Sequence, residues 1–492
     1  MKKWMGWTII ILLLFGGAAY GLKEKEGPPQ HINTNITSMN QRAEPLNNAS
    51  GLKAPLTQGN KITYEIVAEQ TQQEVAPGIT LPVYTYNGSV PGQEIRVKMG
   101  QDVVVKLTNK LQEPVTIHWH GYPVPNKMDG VPGLTQNAVQ PGETFVYRFK
   151  ASVPGTYWYH SHQSSSKQVD KGLYGALIVE ENTGEAGAAR DYAVLLDEME
   201  SGTSKGMGMM NSGYDIFTVN GKSGTLISPY EMKTGEKVRM RFINAGYSTH
   251  YLHFGSLAYQ VIAVDGQSLQ KPVAAQGELL PIGAGERYDI EFIAPDTSIV
   301  GYDQLDHKAA VGMLIPLKNT NTDKVEVPKE YKGIFSLVDK DVETKRVSIA
   351  SAAYDKTYAM ELGHGMSMSG MVFTINGKTY PNIDKLGVKK GDRVKVELIN
   401  NDPMNDHPMH LHGHEFQVLS KDGKSLEGKP VFKDTLLLKP GEKYEVAFVA
   451  SNPGNWMFHC HQLQHAAAGM MTTVNYEGYP ISKEIDQAQN IE

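Results

Sequence analysis

The chain has 492 residues, with 47 Lys and Arg against 53 Asp and Glu and a formal net charge of −6. This exceeds the roughly 250 to 300 residues at which one hydrophobic core stops growing, so several domains are expected; the acidic balance excludes nucleic acid as a partner, which calls for a basic domain. With 49 glycines, 26 prolines and many short Val, Ile, Thr and Tyr runs between turn residues, the chain reads as all-β.

At the N-terminus, Lys2 and Lys3 precede an uncharged stretch from Trp4 to Leu22 that includes the small residues Gly17, Ala18 and Ala19. This has the form of an export signal over residues 1–22. At 1.5 Å per residue the stretch also just crosses a bilayer core of roughly 30 Å, so a retained membrane anchor is the alternative. Either reading places the protein outside the cytoplasm: extracellular, periplasmic or on the outer face of the cell membrane. Residues 23–59 are polar and rich in Asn, Gln, Pro and Gly, the composition of a flexible spacer. Cys460 is the only cysteine, which rules out an intramolecular disulfide and leaves that thiol for a metal.

Beyond residue 60 the chain repeats itself three times. VYTYNG at 83–88, IFTVNG at 216–221 and VFTING at 372–377 share one pattern. Each precedes a turn glycine, Gly100, Gly235 or Gly391, with Asn109, Asn244 or Asn400 nine residues later. PGETFVYRF, GAGERYDIEF and PGEKYEVAF form a third recurring element. Alternating strands in units of this size predict three Greek-key β-sandwich domains, at 60–182, 190–317 and 346–480. The polar, charged stretch 318–345 reads as an interdomain linker.

Ten of the 16 histidines fall in four tight clusters: HWH at 118, HSH at 160, HPMHLH at 407 and HCHQLQH at 459. QPGETFVYRFKASVPGTYWYHSH and KPGEKYEVAFVASNPGNWMFHCH match at a constant offset of 299, so His160 and His162 correspond to His459 and His461, with Ser161 in the place of Cys460. Likewise His118 and His120 correspond to His410 and His412. The middle unit lacks these pairs, offering His250 and His253 in THYLHFG, so the metal chemistry belongs to the first and third units. Residues alternate faces along a strand, so His459 and His461 point one way and Cys460 the other. One strand can therefore serve two metal sites.

A thiolate, two imidazoles and a weak thioether make the soft ligand set of a blue-copper electron-transfer centre. His407, Cys460, His465 and Met470 supply it. A buried structural cysteine is the plain alternative for such a thiol; its neighbours argue against that. Eight histidines remain, two from each cluster, too many for one ion and suited to two or three.

On these residues the chain resembles the multicopper oxidases, the family of laccases, ferroxidases and cuprous oxidases, over about residues 60–480. The resemblance implies cupredoxin-like domains, four copper ions per chain and dioxygen as a partner. It implies a type 1 copper on His407, Cys460, His465 and Met470, a type 2 copper on His118 and His410, and a type 3 pair on His120, His160, His162, His412, His459 and His461. A small reducing substrate or metal ion would give up electrons singly at the type 1 copper, and four electrons would reduce dioxygen to two waters. Asp129, in NKMDGVPG, matches the family's acidic residue beside the type 2 copper and is expected to serve catalysis; a turn aspartate before glycine is the alternative. Gln464 departs from the carboxylate many relatives carry there. Asp434 is expected either to bond a type 1 imidazole or to be purely structural.

Two segments, 199–213 and 360–371, hold eight of the 21 methionines in 27 residues, with Gly and Ser contents that argue for loops. Thioethers select Cu(I), so Met207, Met209, Met210, Met360, Glu361, His364, Met366, Met368 and Met371 are candidate ligands for cuprous substrate. Phenols, Fe(II) and Mn(II) are the competing donors. A non-enzymatic copper store or electron carrier of the cell envelope would not need the eight additional histidines. Nor would a copper-free scaffold keep every ligand, and a copper nitrite reductase would carry a single histidine next to the cysteine. One chain holding both the first and third units makes a monomer sufficient.

Overall fold

The computed structural model describes residues 54–488 apart from 182–186, 203–212, 304–312, 329, 345, 352, 369 and 427–429. The segment 1–22, most of the 23–59 spacer and Met207, Met209 and Met210 lie outside the described residues.

Six sheets of four to seven strands stack in pairs as three cupredoxin-like sandwiches. The repeat seen in the sequence is a repeat of strand order. In each unit the first long strand pairs in parallel with a later one: Lys61 faces Asp102, Arg190 faces Val238 and Lys356 faces Val394. An antiparallel neighbour then closes on the second strand of each pair, with Asp102 opposite Lys150, Lys237 opposite Ile293 and Arg393 opposite Val449.

The recurrent Asn-Gly steps are tight turns. Asn87, Asn220 and Asn376 take φ of 62°, 51° and 54°, each followed by a positive-φ glycine, a conformation that asparagine and glycine tolerate best. The second recurrent asparagine has a different task. Asn109, Asn244 and Asn400 are buried, and each amide donates to two carbonyls while its oxygen accepts a backbone N–H two residues on. Three bonds per side chain pin the loop that leads into the next histidine-bearing strand, which is why the spacing is preserved in all units.

A continuous apolar core runs from the middle unit into the third, and another fills the first. The stretch 318–345 is more than a tether. Val325–Glu326 and Glu343–Thr344 add short strands to the middle unit's sheets, and Phe335, Leu337 and Val342 bury their side chains against it. The charged residues there alternate with apolar ones, and the apolar ones dock.

The 360–371 segment is not a loop. Lys356–Ser367 and Gly370–Ile375 form a β-hairpin, with His364 opposite Phe373 and Met366 opposite Met371. Glycine and serine content misleads here because pairing holds the segment extended: Met360–Leu362 pair with Leu398–Asn400, and Leu362–Ser367 pair with Gly370–Ile375. Alternation puts Met360, Leu362, His364 and Met366 on one face, which begins in the core and ends in solvent.

Candidate metal centres

Two strand pairs build the histidine cluster. His118–His120 pairs with Gly155–His160 so that His118 stands opposite His160, and His407–Leu411 pairs with Asn455–Cys460 so that His410 stands opposite His459. Opposite residues in a sheet lie about 5 Å apart, close enough for their rings to share an ion. The intervening residues Trp119 and Cys460 point into the cores of their own units.

All eight rings, from His118, His120, His160, His162, His410, His412, His459 and His461, are buried and meet between the first and third units. His118 stacks on His412 at 3.9 Å and His120 on His410 at 3.8 Å, while Nε2 of His412 lies 3.0 Å from Nε2 of His459. Nitrogens of His118, His410 and His412, of His118, His120 and His160, and of His162, His412 and His459 fall into groups tight enough for one ion each. Burial, followed by repulsion from neighbouring imidazoles, holds His120, His160, His412, His459 and His461 well below the usual histidine range. The rings are therefore neutral, with lone pairs available to a cation.

Most of the rings have one nitrogen engaged on the protein side. Nδ1 of His118 lies 2.8 Å from the Asp129 carbonyl, Nδ1 of His160 2.9 Å from the Ser161 carbonyl, and Nδ1 of His459 3.0 Å from the Cys460 carbonyl. Nδ1 of His412 faces Asp129 Oδ2 at 3.0 Å. Such contacts select the ring tautomer and leave the opposite nitrogen to a metal. Nε2 of His118, His160 and His410 and Nδ1 of His120 have no hydrogen-bond partner among the described residues. Buried nitrogens aimed together without partners suit metal ligation far better than a packed core.

Cys460 forms a second group 
on the other face of its strand. Its Sγ lies 3.6 Å from Nδ1 of His407 and 3.7 Å from Nδ1 of His465, and the three side chains are buried. Met470 is also buried, and its carbonyl accepts the Cys460 N–H at 3.1 Å. Phe373 stacks on His465 at 3.7 Å. The outer nitrogens of the two imidazoles meet different partners. Nε2 of His465 lies 3.2 Å from the Tyr247 hydroxyl, whereas Nε2 of His407 lies 3.4 Å from Asp402 Oδ2, which also lies 2.9 Å from Nδ1 of His364. Burial alone would raise the Asp402 carboxyl, but the adjacent His407 imidazole, followed by hydrogen bonds from Asn405, the Met404 amide and His364, holds it well below the carboxylate range.

Several expectations change. Asp434 does not touch an imidazole beside Cys460: its Oδ1 lies 3.4 Å from His120 and 3.5 Å from His410, in the eight-histidine cluster. Strand pairing of 407–411 with 435–438 is the reason, because it sets His410 opposite Thr435. Met360 is 1% exposed in the core and out of reach of a metal in solution, while Met366 is 66% exposed and Met368 fully so. Met371 is partly buried against the core, and Glu361 points away from it, near Asn401. Gln464 donates to Asp170 at 3.1 Å and pairs with Tyr214; burial pushes the Asp170 carboxyl up to about 7. His250 sits between Asp303 and Glu198, a buried charged group of the middle unit.

Residues that the motifs did not reveal are Asp402, Thr435, Arg287 and Tyr247. Asp402 had a faint signal, lying two residues after the recurrent Asn400. The other three come to the metal groups from distant parts of the chain.

Three β-sandwiches, with a thiolate–imidazole group in one and an imidazole cluster at its junction with another, define a cupredoxin-type metalloprotein whose soft ligand set fits copper. Family models described as multicopper oxidase match residues 66–184, 191–300 and 352–478. Multicopper oxidase MmcO of Mycobacterium tuberculosis is 28% identical, over 85% of this chain and 88% of its own. Copper resistance protein A of Escherichia coli is 25% identical, over 80% of this chain and 89% of its own. A crystal structure of a multi-copper oxidase from Pseudomonas thermotolerans is 30% identical, with a TM-score of 0.68, over 85% of this chain and 99% of that one. The chain belongs to the multicopper oxidase family. It is an oxidoreductase that uses copper as its cofactor and dioxygen as electron acceptor.

Proposed function

We propose that this enzyme couples the one-electron oxidation of Cu(I) to the four-electron reduction of dioxygen, consuming four protons and releasing two waters. The domains would be 60–182, 190–317 with the stretch 318–345 docked on it, and 346–480. His407, Cys460, His465 and Met470 would hold the type 1 copper, His118 and His410 the type 2 copper, and His120, His160, His162, His412, His459 and His461 the type 3 pair. Copper in these places supplies the one-electron oxidation of the donor and the chemistry of dioxygen reduction. The chain's own part is positioning. The Cys460 backbone links the two groups, since its carbonyl lies 3.0 Å from Nδ1 of His459. Asp129 orients His118 and His412, and Asp402 orients His407.

One observation favours Cu(I) as the donor. The Asp402 carboxylate bridges Nε2 of His407 and Nδ1 of His364, and His364 lies on the hairpin that carries exposed Met366 and Met368. Exposed thioethers joined to His407 through His364 and Asp402 support the reading of this hairpin as a soft-metal docking surface. The copper-resistance name of one relative fits this reading. The same reading includes an exported protein, acting as a monomer, with residues 1–22 as its signal or anchor.

Oxygen uptake by one copper-loaded preparation with cuprous, ferrous and phenolic donors tests the proposal. The cuprous donor is expected to be fastest; a phenol oxidised as fast would overturn the substrate assignment, and no oxygen uptake with any donor would overturn the reaction.

A further inference from the structure

Among the described residues the middle unit contributes no imidazole to the cluster, yet its GAGER turn reaches it. Gly285 packs so closely that a Cβ there would lie 2.8 Å from the His461 ring and 3.1 Å from the His120 ring. Two residues on, the Arg287 side chain is wholly buried at the meeting point of all three units. Its Nε donates to the Thr156 carbonyl of the first unit at 3.2 Å, and its Nη1 and Nη2 grip both oxygens of Asp434 of the third at 2.6 and 2.7 Å. Gly121, the residue after the first histidine pair, makes room for this clamp: a Cβ there would meet Arg287 Nη2 and Asp434 Oδ2 at 2.3 and 2.5 Å.

From the clamp, hydrogen bonds run to two rings of the cluster. The Thr435 hydroxyl donates to Asp434 Oδ1 at 2.8 Å. Its proton is thus committed, and the hydroxyl can only accept from Nε2 of His120 and Nδ1 of His410, both at 3.0 Å. The Asp434 carbonyl reinforces the second bond at 2.9 Å from His410 Nδ1. The nitrogens left over, Nδ1 of His120 and Nε2 of His410, are the two that lack hydrogen-bond partners among the described residues. This explains why His120 presents the opposite nitrogen from His410, although the two rings stack.

We propose that Arg287 is a positioning residue for the copper cluster: by fixing Asp434, and through it the Thr435 hydroxyl, it dictates which nitrogens of His120 and His410 face the metal. The middle unit thereby sets the geometry of a site whose imidazoles come from the other two. The inference rests on the reading that the eight imidazoles hold copper. A fork that grips two oxygens at once is needed, which a lysine cannot reproduce.

The test uses the full, copper-loaded chain with Arg287→Met, Arg287→Lys and Asp434→Asn. Copper content, the blue absorption, the type 2 electron paramagnetic resonance signal, the near-ultraviolet band of the type 3 pair and oxygen uptake are recorded. In Arg287→Met the blue absorption is expected to persist while the type 2 and type 3 signatures shift or vanish and oxygen uptake falls about tenfold or more. Asp434→Asn should give the same spectral change, Arg287→Lys a weaker one, and the Arg287→Met/Asp434→Asn pair should be no worse than either change alone. Because the blue absorption reports a folded third unit, its persistence separates mispositioned ligands from general unfolding. Should Arg287→Met fail to fold, the other two single variants decide. Wild-type cluster signatures in both would overturn the proposal. A wild-type chain that binds only the blue copper would instead remove the cluster reading itself.

Discussion

Oδ2 of Asp129 accepts a hydrogen bond from Nδ1 of His412 at 3.0 Å, joining residues 283 positions apart across the junction of the first and third units. The same aspartate holds His118 through its backbone carbonyl. It therefore orients one ring from each of the two units. Asp129→Ala is expected to keep the blue absorption and lose oxygen uptake by about 10- to 100-fold, the usual cost of removing a carboxylate that orients a metal-bound imidazole. Unchanged turnover in steady-state assays would remove the role.

Cys460→Ser should abolish both the blue absorption and donor oxidation while the eight-histidine cluster still takes up copper. A hydroxyl at this buried position is also expected to lower stability by about 1–3 kcal/mol where it leaves a polar group unpaired. Copper content and thermal unfolding check the two halves of this expectation, and a variant that stayed blue would contradict the assignment.

The hairpin makes contrasting predictions along one face. His364→Ala should slow Cu(I) oxidation about tenfold or more and leave phenol oxidation within about twofold, because it interrupts the bridge through Asp402. Met360→Leu, a swap of similar volume in the core, should cost less than about 1.5 kcal/mol and leave Cu(I) oxidation unchanged. Parallel donor assays on both variants measure the difference; equal losses for the two donors in His364→Ala would show that the bridge carries no donor preference.

The buried Asp170 carboxyl, raised to about 7, titrates near neutrality. An ordinary unfolded carboxyl titrates near about 3.9, so between about pH 4 and 7 the folded chain holds a proton that the unfolded chain has released. Stability contributed by this group is thus full at low pH and declines as pH rises through that window. Asp170→Asn should flatten the decline in urea-unfolding midpoints between pH 5 and pH 8. A pH dependence identical to the wild type would show that Asp170 does not titrate there.

How much could be read before the chain was folded differs from residue to residue. His118, His410 and their partners were legible because a β-strand has a period of two and the internal repeat supplies four H-x-H pairs, although only His118 and His120 both lie within a strand and His162, His412 and His461 sit just past their strands' ends. Asn109, Asn244 and Asn400 were legible as a spacing, although their task of pinning loops was not. The 360–371 segment was not legible because composition measures local preference, and strand pairing, above all within its own hairpin, overrides that preference. Neither alternative for Asp434, a bond to an imidazole beside Cys460 or a purely structural place, anticipated its position near His120 and His410, because its register against His410 depends on a strand pairing that the sequence does not display.

By itself the sequence determined the threefold β architecture, the identity of the clustered imidazoles and the separation of Cys460 from its flanking histidines, all of which follow from short-range periodicity. The tertiary structure alone decided which nitrogen each ring turns inward, that Met360 is core while Met366 is surface, and that Arg287 of the middle unit reaches the cluster. These are matters of hydrogen-bond direction and burial between residues as far apart as Asp129 and His412. A hydrogen bond has an orientation that only three-dimensional packing supplies, whereas a strand's alternation is already written in its spacing.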